Sequence, residues 1–262
     1  MAEQLHVKTL GEGDSNVVLL HGLFGSGNNL GQIARGLKGE YRVHSVDLPD
    51  HGQSDWLPQA SIQGYARCVA AWMDDQQLSN CCVIGHSLGG KVAMQLAVNR
   101  PELIQRLVIL DISPMAYTVR RHDHIFAGLN AVKAAGVKTR ADAREVLLVH
   151  IEETSVADFL LTSAYTDESG LIDWRFNLAQ LEADYRHMLS GIEVQEAQGL
   201  PCQIPSLVVR GGDSDYVPKT TKQDFAHLFD ALNVVTVKNA GHWLHKEQTE
   251  TVLSLIGRFI AP

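Results

Sequence analysis

A chain of 262 residues with 45% hydrophobic side chains is long enough to bury one large core. Its 30 acids against 22 Lys and Arg leave a formal charge of −8 with no basic stripe, which excludes a phosphate-backbone partner and reads as solubility. No uninterrupted apolar run reaches membrane-spanning length, and Met1-Ala2-Glu3-Gln4-Leu5-His6 lacks the basic start and apolar stretch of a signal peptide. The four cysteines, two of them adjacent at Cys81 and Cys82, have neither zinc-site spacing nor the density of a disulfide framework, so the expectation is a cytoplasmic protein with reduced thiols and no stable membrane insertion.

Taken in order, residues 4–10 alternate weakly, as an edge strand would, and Val17-Val18-Leu19-Leu20 is a continuous apolar run suited to a strand covered on both faces. That run ends in a glycine-rich loop, residues 21–27, which lacks the Gly-Lys-Ser/Thr ending of a phosphate cradle. Helical spacing follows at Leu30, Ile33, Ala34 and Leu37, then a strand over 42–47 running into a turn over 49–54. A helix over 62–78 carries Tyr65, Val69, Trp72 and Met73 on one side. A strand ending near Ile84 leads to a helix over 91–99, stopped before Pro101, and a strand over 106–111 follows.

From residue 113 to about 203 the strand-helix alternation gives way to helical stripes, among them Ile125, Phe126, Leu129 and Val132. A structureless loop of that length is improbable in a compact domain, so the stretch is expected to be an inserted helical cap, residues 113–203, on a core made of 1–112 and 204–262. The alternation returns with a strand over 206–210, a helix near 220–229, a strand over 234–237 and a helix near 249–259. Alternating strands and helices mean a mostly parallel sheet with helices on both faces.

Chemistry concentrates at Gly85-His86-Ser87-Leu88-Gly89-Gly90, where a serine sits between two glycines at a strand-to-helix turn. Such a turn lifts the hydroxyl out of the sheet and aims the first helical N–H groups at the space beside it. A serine hydroxyl needs a base to take its proton. Among twelve histidines, His242 lies just past the final strand and so projects from the same sheet edge as Ser87, whereas His245 falls near the start of the last helix. His122 and His124, two apart on a helical pattern, point in different directions and are not expected to hold a metal. The acid that orients His242 is either Asp111, at the end of its strand, or one of Asp213 and Asp215.

The segments His21-Gly22-Leu23-Phe24-Gly25-Ser26, Asp47-x-x-x-His51-Gly52-x-Ser54, Gly85-His86-Ser87-Leu88-Gly89-Gly90-Lys91, Asp111-Ile112-x-Pro114, Arg120-Arg121-His122-Asp123, Trp174-Arg175-Phe176-Asn177 and Gly241-His242-Trp243 together span nearly the whole chain. In that combination the sequence resembles the α/β-hydrolase superfamily, and within it the branch of serine esterases that includes ABHD-type hydrolases. The resemblance implies the α/β-hydrolase fold and a serine hydrolase acting on a small-molecule carboxylic ester or acyl thioester, without cofactor or metal. In most of the superfamily the acid stands at the position that is Ser214 here, with acids on either side of it. The esterase branch shares this departure and keeps an aspartate after the earlier strand, which favours Asp111, with Ser214 free to hydrogen-bond His242. The fold also implies an oxyanion hole from the N–H of Leu88 and that of Leu23, or of Phe24 if the loop is tighter.

Trp174 and Phe176 are expected to roof an acyl pocket shared with Phe24, His86 and Trp243. Arg120 and Arg121 are either a contact for an anionic leaving group such as a coenzyme A phosphate or a solvated face. Carbon–carbon bond hydrolysis, a cofactor-free haloperoxidase reaction and a receptor that has lost turnover are the alternatives on this scaffold. The oligomeric state is left open.

Overall fold

In the run Val17 to Leu20 every side chain is fully buried, and because neighbours on a strand point to opposite faces, such a strand must be covered on both sides. The computed structural model, which describes residues 3–194, 201–218 and 222–261, supplies both covers. Strand β2 (Ser15–Leu20) lies inside a seven-stranded sheet ordered β1-β3-β2-β4-β5-β8-β9, with β1 (Val7–Leu10), β3 (Tyr41–Val46), β4 (Cys81–His86), β5 (Ile104–Leu110), β8 (Ser206–Gly211) and β9 (Leu232–Val237). Only β1 runs antiparallel to its neighbour.

Helices α1 (Gly31–Leu37) and α11 (Thr249–Ile260) cover the face that carries Val17, Leu19, Ile84 and Val108. On the other face α2 (Ile62–Asp75) and α3 (Leu88–Asn99) cover Val18, Leu20, Val83, Leu107 and Ile109. Ser61 starts α2 by accepting the Gly64 N–H at 3.0 Å. Cys68, Cys81, Cys82 and Cys202 are all buried free thiols.

Between β5 and β8 the chain forms α4 (Asp123–Ala135), α5 (Arg140–His150), α6 (Thr154–Leu161), α7 (Leu178–Ala183) and α8 (Tyr185–Met188). The sequence pattern there is read as mostly helical, and the structure adds a hairpin, β6 (Ala164–Thr166) with β7 (Ile172–Trp174). Its turn is built by Asp167, whose Oδ1 accepts the N–H groups of Ser169 and Leu171, each at 2.9 Å, and by Gly170 at φ 81°. Three-residue strands are too short to show a period-2 pattern between helices. The chain after β7 docks onto the turn that follows β3: Gly52 N–H donates to Arg175 O at 2.6 Å, and Asn177 N–H to Asp50 O at 2.9 Å.

The helix expected near residues 220–229 is the shorter α9 (Lys222–Ala226), and residues 219–221 lie outside the described residues. His245 sits in a separate short helix, α10 (Leu244–Glu247), before α11. No helix among the described residues is long and apolar enough to cross a membrane.

Parallel register fixes the working edge of the sheet. Leu20 pairs with Gly85, Gly85 with Ile109 and Leu110 with Val209, so the residues that follow β2, β4, β5 and β8 all leave from one edge. The turn out of β4 is tight enough to exclude side chains on either side of Ser87. A Cβ at Gly85 would stand 2.2 Å from Gly89 O, and one at Gly89 2.2 Å from Leu20 O. Both obstacles are backbone and have no rotamer to move to. Gly85→Ala and Gly89→Ala are therefore expected to lose stability at or above the top of the ~1–3 kcal/mol range for overpacking. Gly257→Ala in α11, where a Cβ meets nothing within 4 Å, should gain up to ~1 kcal/mol from helix propensity. Urea midpoints of the three variants test this contrast.

Candidate active site

Ser87 links β4 to α3 at φ 52° and ψ −120°, a region a non-glycine residue enters at a cost of about 1–3 kcal/mol. Its own N–H donates to Leu110 O at 3.0 Å, which fastens the turn to the neighbouring strand. The first hydrogen bonds of α3 run from Gly90 and Lys91 N–H to Ser87 O, so the N–H groups of Leu88 and Gly89 precede the intrahelical ladder.

Opposite this helix end lies the loop that leaves β2. His21 holds it: the Nε2 accepts the Leu48 N–H at 3.0 Å, which places the ring proton on Nδ1, and Nδ1 donates to Gly22 O at 2.8 Å. Burial lowers the His21 pKa to about 4, so the ring stays neutral and keeps both bonds. Phe24 turns the loop at φ 64°, and its carbonyl accepts the Ser163 hydroxyl at 2.8 Å. A Cβ at Gly22 would meet His86 Nδ1 at 3.1 Å and Ser87 Cβ at 3.3 Å, so the loop passes directly beside the serine.

His242 follows β9, and its Nε2 lies 2.9 Å from Ser87 Oγ while its Nδ1 lies 2.8 Å from Asp111 Oδ2. A carboxylate only accepts, so Nδ1 carries the proton and the Nε2 lone pair faces the serine hydroxyl. Asp111, fully buried, also accepts the Gly211 N–H at 2.8 Å through Oδ1 and the Ser214 hydroxyl through Oδ2. Of the three acids weighed from sequence, the structure brings Asp111 to His242. Asp213 and Asp215 are exposed, Asp213 N–H bonds to Ala240 O, and the Asp215 carboxylate pairs with Arg121 at 2.5 Å. Ser214, which the sequence leaves free to hydrogen-bond His242, donates instead to Asp111 Oδ2, the oxygen that also holds His242, and accepts the Tyr216 N–H at 3.2 Å.

Two further rings frame His242, and a third backs one of them. Tyr216 stacks on it with centroids 3.7 Å apart and planes at 14°. His86 donates from Nε2 to His242 O at 2.9 Å, and His245 stands 4.4 Å from the His86 ring. Burial, then His245 and His242, hold the His86 pKa well below its ordinary value. Sequence reasoning passed over Tyr216; its only signal is the place of the 213–218 loop after β8, on the same sheet edge.

Two cavities border Ser87. The first is lined by Leu88, Lys91, Tyr117, Arg121 and Tyr216 among others. The second is lined by Phe24, His86, Phe159, His242 and Trp243 among others. Leu23, Ser87 and His122 border both. Of the expected pocket residues, Phe24, His86 and Trp243 line the second cavity, whereas Trp174 and Phe176 line neither. They stack on one another at 5.8 Å and 7°, Phe176 backs Phe24 at 5.2 Å, and the Trp174 indole donates to Leu129 O at 3.2 Å. They pack the layer behind the wall.

His122, at the N-terminal end of α4, shares a hydrogen bond with the Tyr185 hydroxyl and is held neutral by burial at a pKa of about 3. Arg120 is exposed and paired with Asp123 at 2.8 Å, so only Arg121 of the two arginines reaches a cavity. No group of three or more His, Cys, Asp or Glu among the described residues could hold a metal ion.

Residues 17–255 match the alpha/beta hydrolase family. The chain belongs to that family. It is 36% identical over 247 residues to Esterase YbfF of Escherichia coli, spanning 94% of this chain and 93% of that protein. It is 32% identical over 252 residues to the sn-1-specific diacylglycerol lipase ABHD11 of Mus musculus, spanning 94% of this chain and 80% of the other. Among solved structures, one described as a marine microorganism esterase matches this alpha/beta hydrolase with a TM-score of 0.94 at 29% identity, over 98% of this chain and all of that one.

Proposed function

We propose that this protein is a serine hydrolase that cleaves carboxylic esters, and acyl thioesters by the same steps, with residues 113–203, of which 195–200 lie outside the described residues, acting as a cap over the site. One observation carries the reading: the continuous chain Ser87 Oγ, His242 Nε2, His242 Nδ1, Asp111 Oδ2, with links of 2.9 and 2.8 Å, set between two cavities. Similarity to an esterase and a lipase supports the same class.

Ser87 Oγ attacks the substrate carbonyl carbon as its proton passes to His242 Nε2, and Asp111 holds the resulting imidazolium. The charge that forms on the carbonyl oxygen meets the N–H groups of Leu88 and Leu23, each such donor being worth about 3 kcal/mol of barrier. His242 then gives its proton to the departing alcohol or thiol, leaving Ser87 acylated. A water, deprotonated by His242 in turn, releases the acid. No step calls for a cofactor.

The proton transfer assigns the cavities. The leaving atom must lie beside His242, which lines the second cavity and not the first, so the leaving group occupies the second and the acyl chain the first. Reaction with a fluorophosphonate probe tests the nucleophile: the expected result is one label, on Ser87, with none on Ser87→Ala. A label that persists in Ser87→Ala would remove this reading.

A further inference from the structure

Lys91 lies one helical turn beyond Ser87, and only 1% of it is exposed. Its Nζ donates to Met115 O at 2.7 Å and Ser190 O at 2.5 Å and stands 4.9 Å from the centre of the Tyr117 ring. All three partners are neutral, and none of the ion pairs among the described residues includes Lys91. Desolvation without a counter-ion is costly, and it lowers the Lys91 pKa to about 7, so a carboxylate placed beside Nζ would draw the proton back and restore the charge. The lysine also sits in the first turn of α3, where the helix dipole is already positive. A strut between neighbouring segments needs none of this charge.

A second cation borders the same cavity. The Arg121 guanidinium lies 5.0 Å from the centre of the Tyr216 ring, its Nη1 is taken by Asp215, and its Nε is buried with no hydrogen-bond partner. Tyr117 and Tyr216 are themselves neighbours, 6.0 Å between centroids, so the two cations stand on adjoining rings. No acidic side chain lines this cavity. Ile112, Met188 and Leu189 add apolar wall to the same cavity. Apolar wall beside Ser87 together with a lysine that has no counter-ion and a guanidinium N–H that has no partner suits a chain with an anionic end.

We infer that the first cavity selects acyl groups bearing a carboxylate, with Lys91 as counter-ion and the Arg121 Nε–H as a further donor, so that half-esters of short dicarboxylic acids are the preferred substrate class. The inference rests on the ester-hydrolase reading and on the assignment of the acyl chain to this cavity. Lys91 and Arg121 act here as specificity determinants.

The test compares kcat/KM for monomethyl succinate and methyl butyrate, which share a four-carbon acyl chain and differ in its end, at pH 7 in the unaltered protein, Lys91→Met and Arg121→Gln. The expected preference for the half-ester is at least about tenfold, as one charged hydrogen bond supplies. Lys91→Met should lower that ratio by about the same factor, and Arg121→Gln should lower it chiefly through KM. Because Lys91→Met could fail to fold, competition in the unaltered protein is a second readout: glutarate should inhibit p-nitrophenyl acetate hydrolysis at least about tenfold more strongly than butyrate. Equal kcat/KM for the two esters, or equal inhibition by the two acids, overturns the inference while turnover of methyl butyrate leaves the hydrolase reading standing. No turnover of either ester together with no fluorophosphonate label would remove both.

Discussion

Asp111→Asn is expected to lower kcat for p-nitrophenyl butyrate by about four orders of magnitude, the scale of loss when a relay carboxylate becomes an amide. The buried Asp111 carboxylate is an acceptor for Gly211 N–H, for the Ser214 hydroxyl and for His242 Nδ1–H at once. An asparagine can satisfy Gly211 with its carbonyl, but its NH2 then faces His242. The imidazole must answer with a bare Nδ1, which moves the ring proton to Nε2, and a protonated Nε2 cannot take the proton of Ser87. Asp213→Asn changes an exposed acid whose contact with this region is through its backbone, and should leave kcat within about a factor of five, the scale of exposed charge effects. Circular dichroism would confirm that both variants fold. Retained turnover in Asp111→Asn beside a collapse in Asp213→Asn would reverse the assignment of the acid.

In the proposed reaction an acid that follows β5 takes the place of one after β8, and the sheet register makes the two positions equivalent. The two strands are parallel neighbours with Leu110 opposite Val209, so the residue after β5 and the loop after β8 begin side by side at the same edge. Either can present a carboxylate to an imidazole arriving from the end of β9. Here the position after β8 holds Ser214, which turns its hydroxyl onto Asp111. In the proposed reaction the serine thus supports the relay from behind the carboxylate.

Much of this was legible in the sequence because the signals are local. Val17 to Leu20 announces a strand buried on both faces, Gly85 and Gly89 announce a turn with no room for side chains, and His242 is singled out by its place after the last strand. What escaped depends on which layer a side chain joins. Trp174 and Phe176 have the composition of a pocket roof, yet they form the layer behind Phe24, because the segment that carries them is tied to the turn at Asp50 to Gly52. Tyr216 and Lys91 make contacts with elements far along the chain, respectively His242 and the carbonyls of Met115 and Ser190, and no periodicity records such pairings.

Mild acid is expected to unfold the protein steeply, because the sheet edge that carries the site is lined with histidines that the fold keeps neutral. Burial, as the first cause in each case, lowers the pKa of His21 to about 4 and of His51, His122 and His245 to about 3, and it holds His86 well below 6.5. In the unfolded chain each returns to about 6.5. Between those values the unfolded state binds more protons than the native one, so the stability these groups contribute is complete above about pH 6.5 and is lost as pH falls toward 4. Each costs about 1.4 kcal/mol per pH unit in that window, so His21, His51, His122 and His245 together remove about 6 kcal/mol per unit, with His86 acting in the same direction, against a total stability of order 5–15 kcal/mol. Asp50, whose pKa burial raises, works in the opposite direction, but it is one group against five. Lys91 extends the trend upward, since its pKa of about 7 against 10.5 unfolded makes stability rise from pH 7 toward 10.5. Urea midpoints should therefore fall sharply between pH 7.5 and 5.5, with net proton uptake on unfolding at the lower pH. His51→Phe, which removes a ring whose Nε2 has no partner, should reduce that uptake by about one proton and flatten the slope by about 1.4 kcal/mol per pH unit. A midpoint that does not change between pH 7.5 and 5.5 would mean that these imidazoles are charged within the fold, and Leu48 N–H would then have no acceptor on His21.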